Sequence, residues 1–187
     1  MADDVPLEDL RRLHVRTRLD DAIAEHIRAG RSVVLTGNPG DGKTHLLRIL
    51  EPEIAALGAV VEHDASAVPN HLVAENWRRA VSVGKPYFIA VNESVLFKLA
   101  AMYRNFTPVQ DARRQVMKAI GYGVQPDLEI DDVVVFDLSH RHTLSRELVG
   151  GVFNRLTAEE IAPRCAQCPL QGCDRERNRL LLQGETN

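Results

Sequence analysis

The sequence predicts an α/β fold, a parallel sheet flanked by helices, followed by a small cysteine-rich hook. Short apolar runs of strand length alternate with stretches of helical periodicity, the spacing of βα units joined by right-handed crossovers. The first strong run, Ser32 to Thr36, passes directly into a glycine-rich loop and then into an amphipathic helix. The composition is that of an ordinary globular chain: 187 residues, 44% apolar and 26% charged. That length suits one domain, or one domain with a small appendage, and can bury a sizeable core. The expected division is a core over 1–160, then a hook and tail over 161–187.

Each element has its own signal. Leu19, Ile23 and Ile27 recur every four residues and Gly30 follows, so 17–29 reads as a helix ended by a glycine cap. Ser32 to Thr36 has the unbroken apolar character of a buried parallel strand. Leu46, Leu47, Leu50, Ile54 and Leu57 trace the next helical face, and Pro52 predicts a kink or break near Glu51. Strand 59–63, helix 71–83, strand 87–91 and helices 94–104 and 108–120 continue the alternation, the last with proline in its first turn. Gly121 to Asp132 reads as a loop. Val133 to Phe136 is the final clear strand, and Leu144, Leu148, Val152 and Leu156 mark a helix after it.

Several function classes are excluded. No apolar run approaches the roughly 20 residues that cross a bilayer, and the acidic start MADDVPLEDLRR lacks the apolar region of a secretory signal. A net charge of -3 gives no global basic field for nucleic acid. The three cysteines crowd between 165 and 173, which suits a metal hook or free thiols in a reducing compartment. The expectation is a soluble cytoplasmic protein with no membrane contact.

Gly37-Asn38-Pro39-Gly40-Asp41-Gly42-Lys43-Thr44 fits G-x-x-x-x-G-K-[ST] at every defined position, between a buried strand and an amphipathic helix. The glycines allow backbone conformations closed to residues with a Cβ and let amide N–H groups approach phosphate oxygens. The helix that begins near Lys43 and His45 points its dipole and unpaired N–H groups at the same anion. Lys43 supplies a cation for the β- and γ-phosphates, and the Thr44 hydroxyl can join the shell of Mg²⁺. The expected fold is therefore of the P-loop NTPase type, with ATP and Mg²⁺ as ligands. The Asn-Lys-x-Asp base reader of guanine-nucleotide switches is absent from the sequence.

Hydrolysis needs further groups at the C-terminal ends of neighbouring strands. Strand 87–91 ends in Asn92-Glu93 and strand 133–136 in Asp137-Leu138-Ser139. In ATPases with an added strand between the P-loop strand and the acidic strand, the latter ends in Asp-Glu. Asn92-Glu93 resembles that pair with its first acid neutralised. Asn92 would then accept a hydrogen bond from a magnesium-bound water, and Glu93 would be the general base through one water. Asp137 or Ser139 would sense the γ-phosphate. Two alternatives stand beside this: Glu93 as a helix N-terminal acid favoured by the dipole, and Asp137 as the magnesium aspartate. Arg141 either touches phosphate directly, acts as an arginine finger toward a neighbouring subunit, or is a solvated loop residue.

Cys165-x₂-Cys168-x₄-Cys173 supplies three of the four tetrahedral ligands a structural Zn²⁺ requires, with His140, His142 and Asp174 as candidates for the fourth. The alternatives are reduced thiols and an iron–sulfur cluster.

The P-loop string Leu35 to His45, the Asp64-Ala65-Ser66 segment, the Lys85-Pro86-Tyr87 strand ending in Asn92-Glu93, the strand end Asp137 to Arg141 and the Cys-x₂-Cys hook together resemble a group of bacterial defence ATPases. The chain is similar to the ATPase of phosphorothioation-dependent DNA restriction systems and to related AAA-like or STAND-like anti-phage proteins. The resemblance implies an ATP-driven component acting with a protein partner or as a homo-oligomer, and meeting DNA only through an assembly. It also implies a further strand beside the P-loop strand. None is read after Phe136, so the expected core is incomplete, with an open sheet edge. The first functional reading is a Mg²⁺-dependent ATPase, a motor or switch in a larger assembly. The others are a nucleotide-binding interaction module with little or no hydrolysis, and a small-molecule kinase.

Overall fold

The structure, a computed structural model, describes residues 5–62, 65, 67–122, 132–140 and 146–157. These fall into two compact units, one of residues 5–7 and 17–140, the other of 8–16 and 146–157. In chain order the elements are α1 (Leu7–Leu13), α2 (Arg18–Arg28), β1 (Ser32–Thr36), α3 (Lys43–Ala56), β2 (Val60–Glu62), α4 (Asn70–Ser82), β3 (Tyr87–Ala90), α5 (Glu93–Met102), α6 (Thr107–Tyr122), β4 (Val133–Asp137), a 3-10 turn over Leu138–His140, and α7 (Arg146–Thr157). The expected elements are present within a few residues at each end. α1 is an addition: its leucines at 7, 10 and 13 fill too short a window to show a period.

Local chemistry sets the boundaries. At the start of α2, the Thr17 N–H and hydroxyl both donate to Asp20 Oδ2, at 2.8 and 2.7 Å, so a carboxylate at the third helical position holds the capping residue in place. Its C-terminal end closes on Gly30, at φ +81. Of the kink or break expected near Glu51, the break does not occur, for α3 runs from Lys43 to Ala56 with Pro52 inside it. Leu47 and Leu50 before the proline and Ile54 after it are all buried. Packing on both sides holds the helix through the one backbone bond that proline removes.

The four strands are all parallel, in the order β2-β3-β1-β4. Side-chain alternation divides the core into two layers. Val33 and Leu35 of β1 and Phe88 and Ala90 of β3 pack with Ile23 and Ile27 of α2 and Leu47 and Ile54 of α3. On the other face, Val34, Tyr87, Ile89 and Val133 pack with Trp77 of α4, Leu96 of α5 and Val109 of α6. Right-handed crossovers account for this division. The step from β1 to β2 runs one way along the sheet and puts α3 on the first face. The steps from β2 to β3 and from β3 to β4 run the other way and put α4, α5 and α6 on the second. Trp77 anchors that second layer, stacked on Tyr87 at 5.3 Å and edge-on to Phe106 at 5.7 Å. Tyr87 in turn donates to Glu62 of the edge strand at 2.8 Å, and burial followed by that bond raises its pKa.

The structure corrects two features of the expected sheet. No strand lies between β1 and β3, which pair directly from Val33↔Phe88 to Leu35↔Ala90. The place beside β1 expected to lack a strand is taken by β4, paired from Ser32↔Val133 to Thr36↔Asp137. Order along the chain does not say on which side of β1 the last strand lands. The connection from β3 carries two helices and is long enough to pass over β1.

One rung of the outer edge of β4 is capped by a side chain. Gln115 of α6 donates from Nε2 to Val133 O at 2.7 Å and accepts at Oε1 from Val135 N at 3.0 Å. One amide thus imitates one residue of a neighbouring parallel strand. In the second unit, Gly151 lets α7 meet Val15, since a Cβ there would lie 2.6 Å from Val15 Cγ1. No helix among the described residues is long and apolar enough to cross a membrane.

Replacing Gln115 with alanine removes both edge bonds and leaves Val133 O and Val135 N without their protein partners. We expect a loss of about 2 kcal/mol in urea unfolding, with association through the exposed edge at high protein concentration. Unchanged stability in Gln115→Ala would show that the amide is ornamental.

Candidate functional site

The candidate site forms where β1, β3 and β4 end. Leaving β1, the chain takes a left-handed conformation at each glycine of the motif, with φ +135 at Gly37, +91 at Gly40 and +87 at Gly42. Pro39-Gly40 forms the centre of a turn in which Asp41 N donates to Asn38 O at 3.3 Å. Proline before a positive-φ glycine is the type II pattern. The Asp41 carboxylate closes the turn from the other side, accepting from Asn38 N at 2.5 Å.

Gly37 is required twice over. Besides its φ, a Cβ there would lie 2.8 Å from Asp41 Oδ2 and 3.1 Å from Ser139 N, so the turn after β4 rests against it. Gly40 and Gly42 have open space around them and are required for conformation alone.

Gly42 is the N-cap of α3. Leu46 N bonds back to Gly42 O at 2.9 Å, and the N–H groups of the first helical positions, Lys43 and Thr44, precede the intrahelical ladder. Such a terminus favours an anion. Lys43 turns back over the loop and donates from Nζ to Gly37 O and Asn38 O, both at 2.8 Å. Burial lowers its pKa, and the charges of Asp41 and Asp137 partly offset that. Thr44 and His45 are half-buried on the same helical turn.

Val91 N donates to Leu35 O at 2.9 Å, which carries the β1–β3 pairing one step past the strand and brings Asn92-Glu93 alongside the start of the loop. Asn92 is the N-cap of α5, with extended backbone, yet its side chain makes no capping bond. The amide is thus not spent on the helix terminus, its ordinary use. Glu93 is half-buried in the first turn of α5. On the far side of β1, Asp137 Oδ1 accepts from Ser139 N at 2.9 Å and Ser139 Oγ at 2.7 Å. Helices α3 and α5 leave neighbouring strands for opposite faces, so the crevice between the ends of β1 and β3 is the switch point where such sheets place ligands.

The fold thus gathers the loop 37–44, Asn92-Glu93 and Asp137-Ser139 at one end of the sheet. Thr36, fully buried at the end of β1, belongs beside them. Its one sequence signal is a hydroxyl at the end of an otherwise apolar run. Arg141, His142, Cys165, Cys168, Cys173 and Asp174 lie outside the described residues, as do Asp64, Ser66 and the side chain of His140.

The two kinds of glycine separate in a substitution pair. Gly40→Ala meets only conformational strain and costs about 1 kcal/mol or somewhat more. Gly37→Ala adds a clash with Asp41 and with the backbone of the β4 turn, and should lower the melting temperature further. Equal losses in the two variants would show that the close approach at Gly37 relaxes freely. In comparisons with known proteins, the chain matches no family model, no curated protein and no solved structure.

Proposed function

We propose that the chain binds Mg²⁺–ATP at the loop 37–44 and hydrolyses it. One observation supports this above the rest: three positive-φ glycines, a lysine over the loop and the open start of α3 stand together at the switch point of a parallel sheet. Backbone N–H groups and Lys43 offset the charge of the β- and γ-phosphates, for which Lys43 exchanges its bonds to Gly37 O and Asn38 O. Thr44 joins the magnesium shell. Asn92, free of a capping role, accepts from a magnesium-bound water, and Glu93 takes a proton from the attacking water. On the opposite flank, Asp137 or Ser139 reads the γ-phosphate, and the nearness of Asp137 to Lys43 suits it equally to the magnesium shell. Arg141 is the candidate finger. The resemblance to defence ATPases supports a role as motor or switch in a larger assembly that meets DNA through partner proteins, with Cys165, Cys168 and Cys173 as a zinc hook.

A second reading has its own support. Asn92 brings no charge where a hydrolase of this kind carries an acid, which favours a module that binds nucleotide and turns it over little. The two are separated by phosphate release from Mg²⁺–ATP across a range of protein concentrations. Under the hydrolase reading, Glu93→Gln loses about 10²–10⁴-fold in turnover and keeps wild-type ATP affinity, while Lys43→Ala loses binding. Equal, near-zero rates in wild type and Glu93→Gln, with binding intact, favour the module. ADP formation that rises only when a small-molecule acceptor is added, with no matching release of free phosphate, identifies a kinase.

A further inference from the structure

Among the described residues, three buried side-chain atoms have no hydrogen-bond partner: His26 Nδ1, Trp77 Nε1 and Thr36 Oγ1. The first two belong to rings whose bulk is used in packing, His26 against Phe136 and Trp77 against Tyr87. Thr36 differs from both. Valine has its shape, favours strands equally and carries no hydroxyl to desolvate. The rest of β1 follows that logic, since Val33, Val34 and Leu35 are apolar and the Ser32 hydroxyl accepts from Tyr87 N at 3.1 Å. Stability alone would place valine at 36. A buried polar group left unsatisfied calls for a reason.

The register supplies one. Thr36 is paired with Asp137 at the last position of the β1–β4 ladder. Val34 packs in the same layer as Val133 and Val135, so two residues further on Thr36 and Asp137 also share a face. Neighbouring strands lie about 4.8 Å apart, and a rotation about χ1 brings a threonine hydroxyl at one such position to a carboxylate at the other. In the structure Asp137 is held instead by Ser139, through both N–H and hydroxyl. Ser139 is exposed, and its backbone rests against Gly37.

We infer that Thr36 is a positioning residue of the phosphate site, its hydroxyl kept as the reserve hydrogen-bond donor for Asp137. The inference rests on the nucleotide reading given above. A γ-phosphate draws the Ser139 hydroxyl away from Asp137. Thr36 then donates to the carboxylate, holding it in place beside Lys43 and reducing its repulsion of the phosphate. The hydroxyl is a burden on the fold until nucleotide arrives and a contribution to binding afterwards.

The test is Thr36→Val in the full chain, with Thr36→Ser and Lys43→Ala as companions. Melting is followed without nucleotide, and affinity is measured for Mg²⁺–ATP. The expected result is a Thr36→Val melting temperature equal to or above wild type, with affinity reduced roughly tenfold. Thr36→Ser restores the affinity. Wild-type affinity in Thr36→Val overturns the inference, and so does a fall of several degrees in its melting temperature, which would mean the hydroxyl already has a partner in the resting fold. A wild type that binds Mg²⁺–ATP no better than Lys43→Ala overturns the nucleotide reading, and this inference with it. Binding in the wild type that Thr36→Val matches overturns this inference alone.

Discussion

β1 is hydrogen-bonded along both edges, to β3 and to β4, and every one of its residues is buried. That double pairing fixes the level at which three strands end. Because Leu35 is opposite Ala90 and Thr36 opposite Asp137, the glycine loop, Asn92-Glu93 and Asp137-Ser139 emerge on one rim. A slip of β4 by one residue would turn Asp137 to the opposite face and expose part of the apolar set that anchors it. The position of the polar groups is thus secured by burial elsewhere: Val33 and Leu35 on one layer, Val34 and Val133 on the other.

Charge at the rim is balanced within the chain itself. Lys43 is bonded to two carbonyls of its own loop, Asp41 is bonded to the N–H of Asn38, and Asp137 is bonded to Ser139. Each of these three charged groups therefore has an internal partner, whereas the Thr36 hydroxyl has none. Affinity for an arriving anion is the difference between two sets of hydrogen bonds, not the sum of one set. Such an arrangement keeps the loop in shape and would favour a ligand that bonds several of these groups at once.

Most of the architecture was legible because each element has its own local signal. Apolar runs marked the strands, four-residue spacing marked α2 and α3, and the glycines marked the loop whose left-handed backbone they adopt. What escaped was decided between elements. Pro52 predicted a kink or a break, and buried neighbours on both sides carry α3 through it without a break. The side of β1 on which the last strand lands depends on how a long crossover is laid, and neither periodicity nor order encodes that. Nothing in the sequence singles out Gln115, and only the placement of α6 beside β4 gives its amide a use. At the site, the loop was plain from its motif, whereas Thr36 shows its oddity only once its hydroxyl is found buried.

The amide of Gln115 has a consequence for how this protein can meet its neighbours. A side chain that already bonds Val133 O and Val135 N blocks one rung of β4, so a strand from another chain could not pair along its whole length there. At the opposite edge, β2 is only three residues long and offers little template. Among the described residues, growth of the sheet across a molecular boundary is therefore discouraged at both ends, at β4 by one borrowed amide and at β2 by brevity alone.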